Sequence, residues 1–235
     1  MTGPSTAAGG PQRAVTVFTG PSLRPDDRSR LRELATANGV RLDVRPPVRR
    51  HDLLALRDLP ADHRVLMLDG EFGQNLAVSV TEIRAVLRAG IRLHGASSMG
   101  VLRAVECRTL GMTGSGWVYE QYASGRIESD AEVALLFDPY DFQPVTVPLV
   151  NLRWLIGERV RAGRITTAGG TLALEVARAI HYRDRRPSVV AARWRSHLPP
   201  EVRAVLEPEL DEERMDGWDR KRLDGLAALR EAVGG

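Results

Sequence analysis

Few residues in this chain are equipped for covalent chemistry. Ser97 and Ser98 stand in the run Leu93-His94-Gly95-Ala96-Ser97-Ser98-Met99-Gly100-Val101-Leu102-Arg103-Ala104-Val105-Glu106. An apolar segment ending at Leu93 leads into small residues. Leu102, Val105 and Leu110 then recur at roughly helical spacing, so the pattern is strand, tight turn, helix. Gly95, Ala96 and Ser97 let backbone approach backbone or a ligand. A serine at such a junction is exposed beside the unpaired N–H groups of a helix start, a setting for an activated nucleophile or an anion site. A serine that only caps the helix has the same local sequence, and Ser98 occupies the N-cap position.

A serine nucleophile needs a base. Nearly all the basic residues are arginines, which hold their protons; Lys221 is the only lysine. His94, one residue before the Gly95 turn, and Glu71 and Glu106 are the other groups able to take a proton. The five histidines show no paired metal spacing. The acidic cluster Glu128, Asp130 and Glu132 has no histidine near it and reads as a solvated helix start rather than a metal site. There is no GxxxxGK[ST] loop and no GxGxxG, so ATP and dinucleotide binding have no motif support and no cofactor is expected; a strict GxSxG elbow is also missing.

Bulk properties narrow the class. The apolar share of 43% is enough for a real core. A net charge of +3, dispersed and without a basic block interleaved with aromatics, gives no reason to expect nucleic acid. No apolar run approaches the roughly 20 residues of a membrane span. The single cysteine, Cys107, permits no internal disulfide, which suits a cytoplasmic protein. Residues 1–12 are small and polar and are expected to form a disordered leader.

Strands are expected at 14–18, 40–44, 64–68 and 91–93. They alternate with helices opening near Pro25, Asp52 and Thr81, and with the one that follows Ser98. This alternation predicts an α/β fold: a parallel, doubly wound sheet of about four or more strands with a helical C-terminal extension. Residues 13–181 would form the core and 182–235 the charged extension. Val145–Pro148 reads as an edge strand, and Leu152–Val160 and Leu172–Ile180 as helices. Arg183, Arg185 and Arg186 form a basic knot. Met215, Trp218, Leu226, Leu229 and Val233 read as one apolar stripe on a tail helix. In such sheets, sites form at the carboxyl ends of the strands. The loops there are Gly20-Pro21-Ser22, Arg45-Pro46-Pro47, Asp69-Gly70-Glu71 and Gly95-Ala96-Ser97-Ser98.

At these motifs the chain resembles the TfuA-like proteins. The likeness rests on Gly20-Pro21-Ser22-Leu23, Asp69-Gly70-Glu71-Phe72-Gly73 and Gly95 through Glu106. It continues through Gly111-Met112, Asp130-Ala131-Glu132-Val133-Ala134 and Val147-Pro148-Leu149-Val150-Asn151. The resemblance implies an accessory protein for peptide backbone thioamidation, working with a YcaO-type enzyme. It would release sulfur from the thiocarboxylated C-terminus of a ThiS-like carrier. It implies a serine–lysine pair, with Ser98 the serine and Ser22 second. N–H groups near Gly95 and Gly100 would hold the oxyanion. Gly20, Pro21, Ser22, Asp69, Glu71, Gly95, Ser97, Gly100, Arg103 and Glu106 would line or order the cleft. Many relatives carry a lysine just before the Glu-Ile of the helix near residue 81; here that residue is Thr81, which leaves Lys221 as the lysine. The other function open at this point is a non-catalytic adaptor that binds and activates the YcaO-type enzyme or its precursor peptide.

Overall fold

The computed structural model describes residues 13–73 and 75–234, so the expected leader at 1–12 lies outside the described residues. Five parallel strands form one sheet in the order β2-β1-β3-β4-β5. They are β1 (Ala14–Phe18), β2 (Arg41–Arg45), β3 (Arg64–Met67), β4 (Arg92–Gly95) and β5 (Thr113–Gly114). The fifth was not expected, because two residues carry no periodicity to read.

Strand alternation sends alternate residues to opposite layers. Val15, Val17 and Leu66 face one side, against Leu31 and Ala35 of α1 (Pro25–Ala37) and Leu226, Leu229 and Val233 of α10 (Arg220–Gly234). Phe18, Val65, Met67 and Leu93 face the other. There they meet Ile83 and Val86 of α2 (Val80–Arg88) and Ala104 of α3 (Met99–Glu106). The fold is therefore α/β and doubly wound, as the alternation predicts.

Beyond α4 (Trp117–Ala123), the chain builds a helical unit from α5 (Leu149–Arg161), α6 (Thr167–Arg178), α7 (Pro187–His197), α8 (Pro200–Leu206) and α9 (Glu212–Met215). Its core gathers Leu152, Leu155, Ala173, Val190, Leu206 and Trp218 around Trp194, whose indole N–H donates to the Ala173 carbonyl at 3.0 Å. This cluster runs across position 182 without a break. The chain then returns to the sheet as α10.

Several local expectations are corrected. The tail stripe is two stripes: Met215 and Trp218 belong to the helical core, whereas Leu226, Leu229 and Val233 pack on the sheet. Val145–Pro148 is not a strand but leads into α5; only Phe137 and Pro144 form a bridge there. The segment from Asp52 shrinks to a single 3₁₀ turn at Leu54–Leu56. The helix after Ser98 stops at Glu106, and Arg108–Leu110 is a 3₁₀ turn. No helix among the described residues is long and apolar enough to cross a membrane.

Candidate active site

In the order 2-1-3-4-5, the chain reverses its winding direction between β1 and β3, and the crevice outside that switch point is where such sheets bind ligands. Asp69 sits there, just past β3. The Gly20 and Ser22 N–H groups donate to its Oδ2 at 2.7 and 2.9 Å. The Ser22 hydroxyl donates to its Oδ1 at 2.7 Å and lies 2.5 Å from Ser97 Oγ. With Ser22 committed to the carboxylate, the Ser97 hydroxyl must be the donor in the second bond. One carboxylate thus ties together the loops after β1, β3 and β4.

The turn after β4 is held by close backbone approach. A side chain at Gly100 would fall on the Met67 carbonyl, and one at Gly95 on the Gly100 carbonyl. Ser97 has φ of 69°, a left-handed conformation unusual outside glycine, and its hydroxyl bond to Ser22 helps hold it there. Ser98 follows with φ −125° and ψ −118° and makes no capping bond. Its N–H donates to the Ala96 carbonyl at 2.9 Å and the Leu68 carbonyl at 3.2 Å. Its hydroxyl has no hydrogen bond among the described residues. It lines a cavity of about 570 Å³ with Pro21, Asp69, Gly70, Glu71 and Lys221. The N-cap position is thus occupied by a serine whose side chain does not cap.

The backbone N–H groups around the turn are partly engaged. The Gly100 N–H is engaged by the Leu68 carbonyl at 3.2 Å, and Gly95 belongs to β4. The N–H groups of Gly70 and Met99 make no hydrogen bond among the described residues. Met99 opens α3, so its N–H is one of those a helix leaves unpaired.

Lys221 arrives from the far end of the chain. It is the second residue of α10 and only 2% exposed. Its N–H donates to Asn151 Oδ1 at 3.0 Å, and its Nζ donates to the Val133 carbonyl at 2.8 Å. Burial pulls the ammonium pKa down, and the carboxylates of Asp69 and Asp219 pull it part of the way back. Two anchors fix the start of α10. Arg222 forks Asp27 of α1 through Nε and Nη2, both at 2.7 Å, and Asp224 accepts the Val118 N–H at 2.8 Å. Lys221 also faces a second cavity of about 470 Å³, which Arg24, Asn151 and Trp218 help to line.

Glu71 lines the Ser98 cavity and pairs with Arg49 at 3.1 Å. Arg103 and Glu106 pair with each other on α3, and Glu106 faces a separate cavity with Leu102 and Asp130. His94 points away from Ser98. Its two ring nitrogens hydrogen-bond to Thr113 Oγ1 at 2.9 Å and Ser115 Oγ at 2.7 Å, and burial lowers its pKa. Thr81 is exposed on the first turn of α2. Glu132 of the acidic cluster is buried against Arg153, and no group of three or more metal-ligating side chains occurs among the described residues. Sequence reasoning gave no role to Asn151 or Val133, although both lie in the matching motifs.

The TfuA-like protein family matches residues 69–186. The match begins at Asp69, spans both serines, Val133 and Asn151, and ends before Lys221. No curated protein matches the chain. With the family match covering half of its length, the chain belongs to the TfuA-like protein family.

Proposed function

We propose that this protein is an accessory subunit of peptide thioamidation that releases sulfide from a thiocarboxylated ThiS-like carrier and delivers it beside a YcaO-type enzyme. One observation carries this reading: Ser98, whose hydroxyl makes no cap, lines the same cavity as the chain's only lysine, itself buried. A desolvated lysine is neutral for more of the time and is a recurrent partner of nucleophilic serines.

The chemistry balances without a further reactant except water. Lys221 Nζ takes the Ser98 proton as Oγ bonds to the thiocarboxylate carbon. The negative charge moves to the carbonyl oxygen, which the Gly70 and Met99 N–H groups hold. The C–S bond then breaks. Lys221 returns the proton to sulfur, hydrosulfide leaves, and the carrier remains as an ester on Ser98. Water, deprotonated by Lys221, attacks the ester. Lys221 returns one of the water's protons to Ser98 Oγ, and the carrier departs as a carboxylate, its other proton passing to solvent. Asp69, through Gly20, Ser22 and Ser97, orders the loops and keeps Ser98 in place.

The test is sulfide release from a thiocarboxylated ThiS-like protein by wild type, Ser98→Ala and Lys221→Ala, each with and without the YcaO-type enzyme. Release by wild type and loss in both variants is expected. A silent wild type that still raises thioamide yield in the pair would replace hydrolysis with the adaptor role, in which the protein only engages the YcaO-type enzyme or its precursor peptide.

A further inference from the structure

The three arginines of the basic knot separate in the fold. Arg183 lines the Ser98 cavity, Arg186 the cavity behind Lys221, and Arg185 a third cavity that contains neither Ser98 nor Lys221. This third space, about 410 Å³, is also lined by Arg126, Arg153 and Arg178.

Arg185 is only 3% exposed. Its Nε donates to the Ala177 carbonyl at 3.2 Å and its Nη2 to the Ile180 carbonyl at 2.8 Å, while the buried Nη1 has no hydrogen-bond partner. A buried charged donor left unpaired is costly, and its presence asks for an acceptor. Arg153 is already matched, forking Glu132 at 3.2 and 2.5 Å. Arg178 is exposed and forms no ion pair among the described residues; Arg126 makes only a 3.4 Å contact with Gln121 Oε1. Once Arg153 and Glu132 cancel, three guanidiniums face the single carboxylate of Glu128.

We propose that this cavity binds a phosphate monoester, whose phosphoryl oxygens accept from Arg126 and Arg178 and draw the buried Arg185 Nη1 toward them. The excess of two positive charges matches the charge of about −1.5 to −2 that such a group carries at neutral pH, where a carboxylate brings one. Guanidiniums fork phosphoryl oxygens with good geometry. The volume exceeds what a bare phosphate needs and leaves room for the esterified group.

Isothermal titration of the full chain at fixed ionic strength tests this, with inorganic phosphate and glycerol phosphate as probes. One saturable site per chain is expected for both. Affinity should fall about tenfold in each of Arg126→Ala and Arg178→Ala. Both side chains are exposed, so the unfolding midpoint should hold, and sulfide release should persist. Absence of saturable binding by either probe overturns the proposal, as does unchanged affinity in the Arg126→Ala/Arg178→Ala double variant. Binding of inorganic phosphate with glycerol phosphate excluded overturns the assignment of an ester.

Discussion

Replacing Ser22 by alanine removes one oxygen and two hydrogen bonds, both fully buried. The first runs to a carboxylate, Asp69 Oδ1 at 2.7 Å, and is the stronger kind, worth about 1.5–3 kcal/mol. The second, at 2.5 Å, is the sole acceptor for the Ser97 hydroxyl, which is 0% exposed. Losing it leaves that hydroxyl orphaned, at about 1 kcal/mol or more. The Ser22→Ala variant should therefore lose about 3 kcal/mol, which in a chain of this size lowers the melting temperature by roughly 6–12 °C. Urea denaturation measures it, with a lower midpoint and an unchanged slope. A second alanine at Ser97 removes the orphan. The double variant should cost less than the sum of the singles by about 1 kcal/mol, the signature of direct coupling. Sulfide release should fall in Ser22→Ala although Ser22 never touches the carrier, because Ser97 is freed from its left-handed conformation. A shift below about 0.5 kcal/mol, or strict additivity, would refute the relay from Asp69 to the Ser97–Ser98 turn.

Lys221→Arg keeps the charge and a donor for the Val133 carbonyl but cannot give up its proton, so sulfide release should drop by about 10²–10⁴. In wild type the base must be neutral. Since burial lowers the Lys221 pKa, release should rise with pH through a midpoint below the usual lysine value of about 10.4, as a rate–pH profile will read. Asp27 is buried, which alone would raise its pKa, but the Arg222 fork and Arg24 hold it below the ordinary aspartate value. Its stabilisation is therefore complete above the unfolded pKa and lost as pH falls through the lower folded one. Asp27→Asn should cost about 3 kcal/mol at pH 7, and the gap should narrow below about pH 4 in urea titrations. Gly100→Ala drives a methyl group into the Met67 carbonyl and should cost about 3 kcal/mol or more, whereas Gly157→Ala in the middle of α5, with no atom nearer than 4.0 Å, should gain about 0.5–1 kcal/mol by thermal melts.

The β/α half was legible because its strands are apolar runs bounded by Gly and Pro, and its helices carry spaced leucines. The loops that gather at Asp69 were legible for the same reason: in a parallel sheet every strand ends on one edge. Two kinds of feature were not. Val145–Pro148 has the composition of a strand, but only the isolated Phe137–Pro144 bridge forms near it, and hydrogen-bond partners are a tertiary fact. The tail stripe joined residues that a break at Asp219 assigns to different cores, since spacing alone cannot tell where a helix begins. At the site, Ser98 could be named from its turn, but whether its hydroxyl caps α3 depends on backbone angles the sequence does not display. Lys221 stood out as the only lysine. Its route to Ser98 depends on Arg222 meeting Asp27 across most of the chain, a pairing that no local pattern announces. The resemblance placed Arg103 and Glu106 in the cleft; they lie five and eight residues past Ser98 on α3, where they pair with each other, and Glu106 lines a separate cavity.

The most direct test of the central claim is to quench the reaction with a thiocarboxylated ThiS-like carrier within its first turnovers and map the covalent adduct by mass spectrometry. An ester between the carrier's C-terminus and Ser98, absent from Ser98→Ala, is the predicted result. An adduct on Ser22 or Ser97, or sulfide release at full rate from the Ser98→Ala variant, would contradict it.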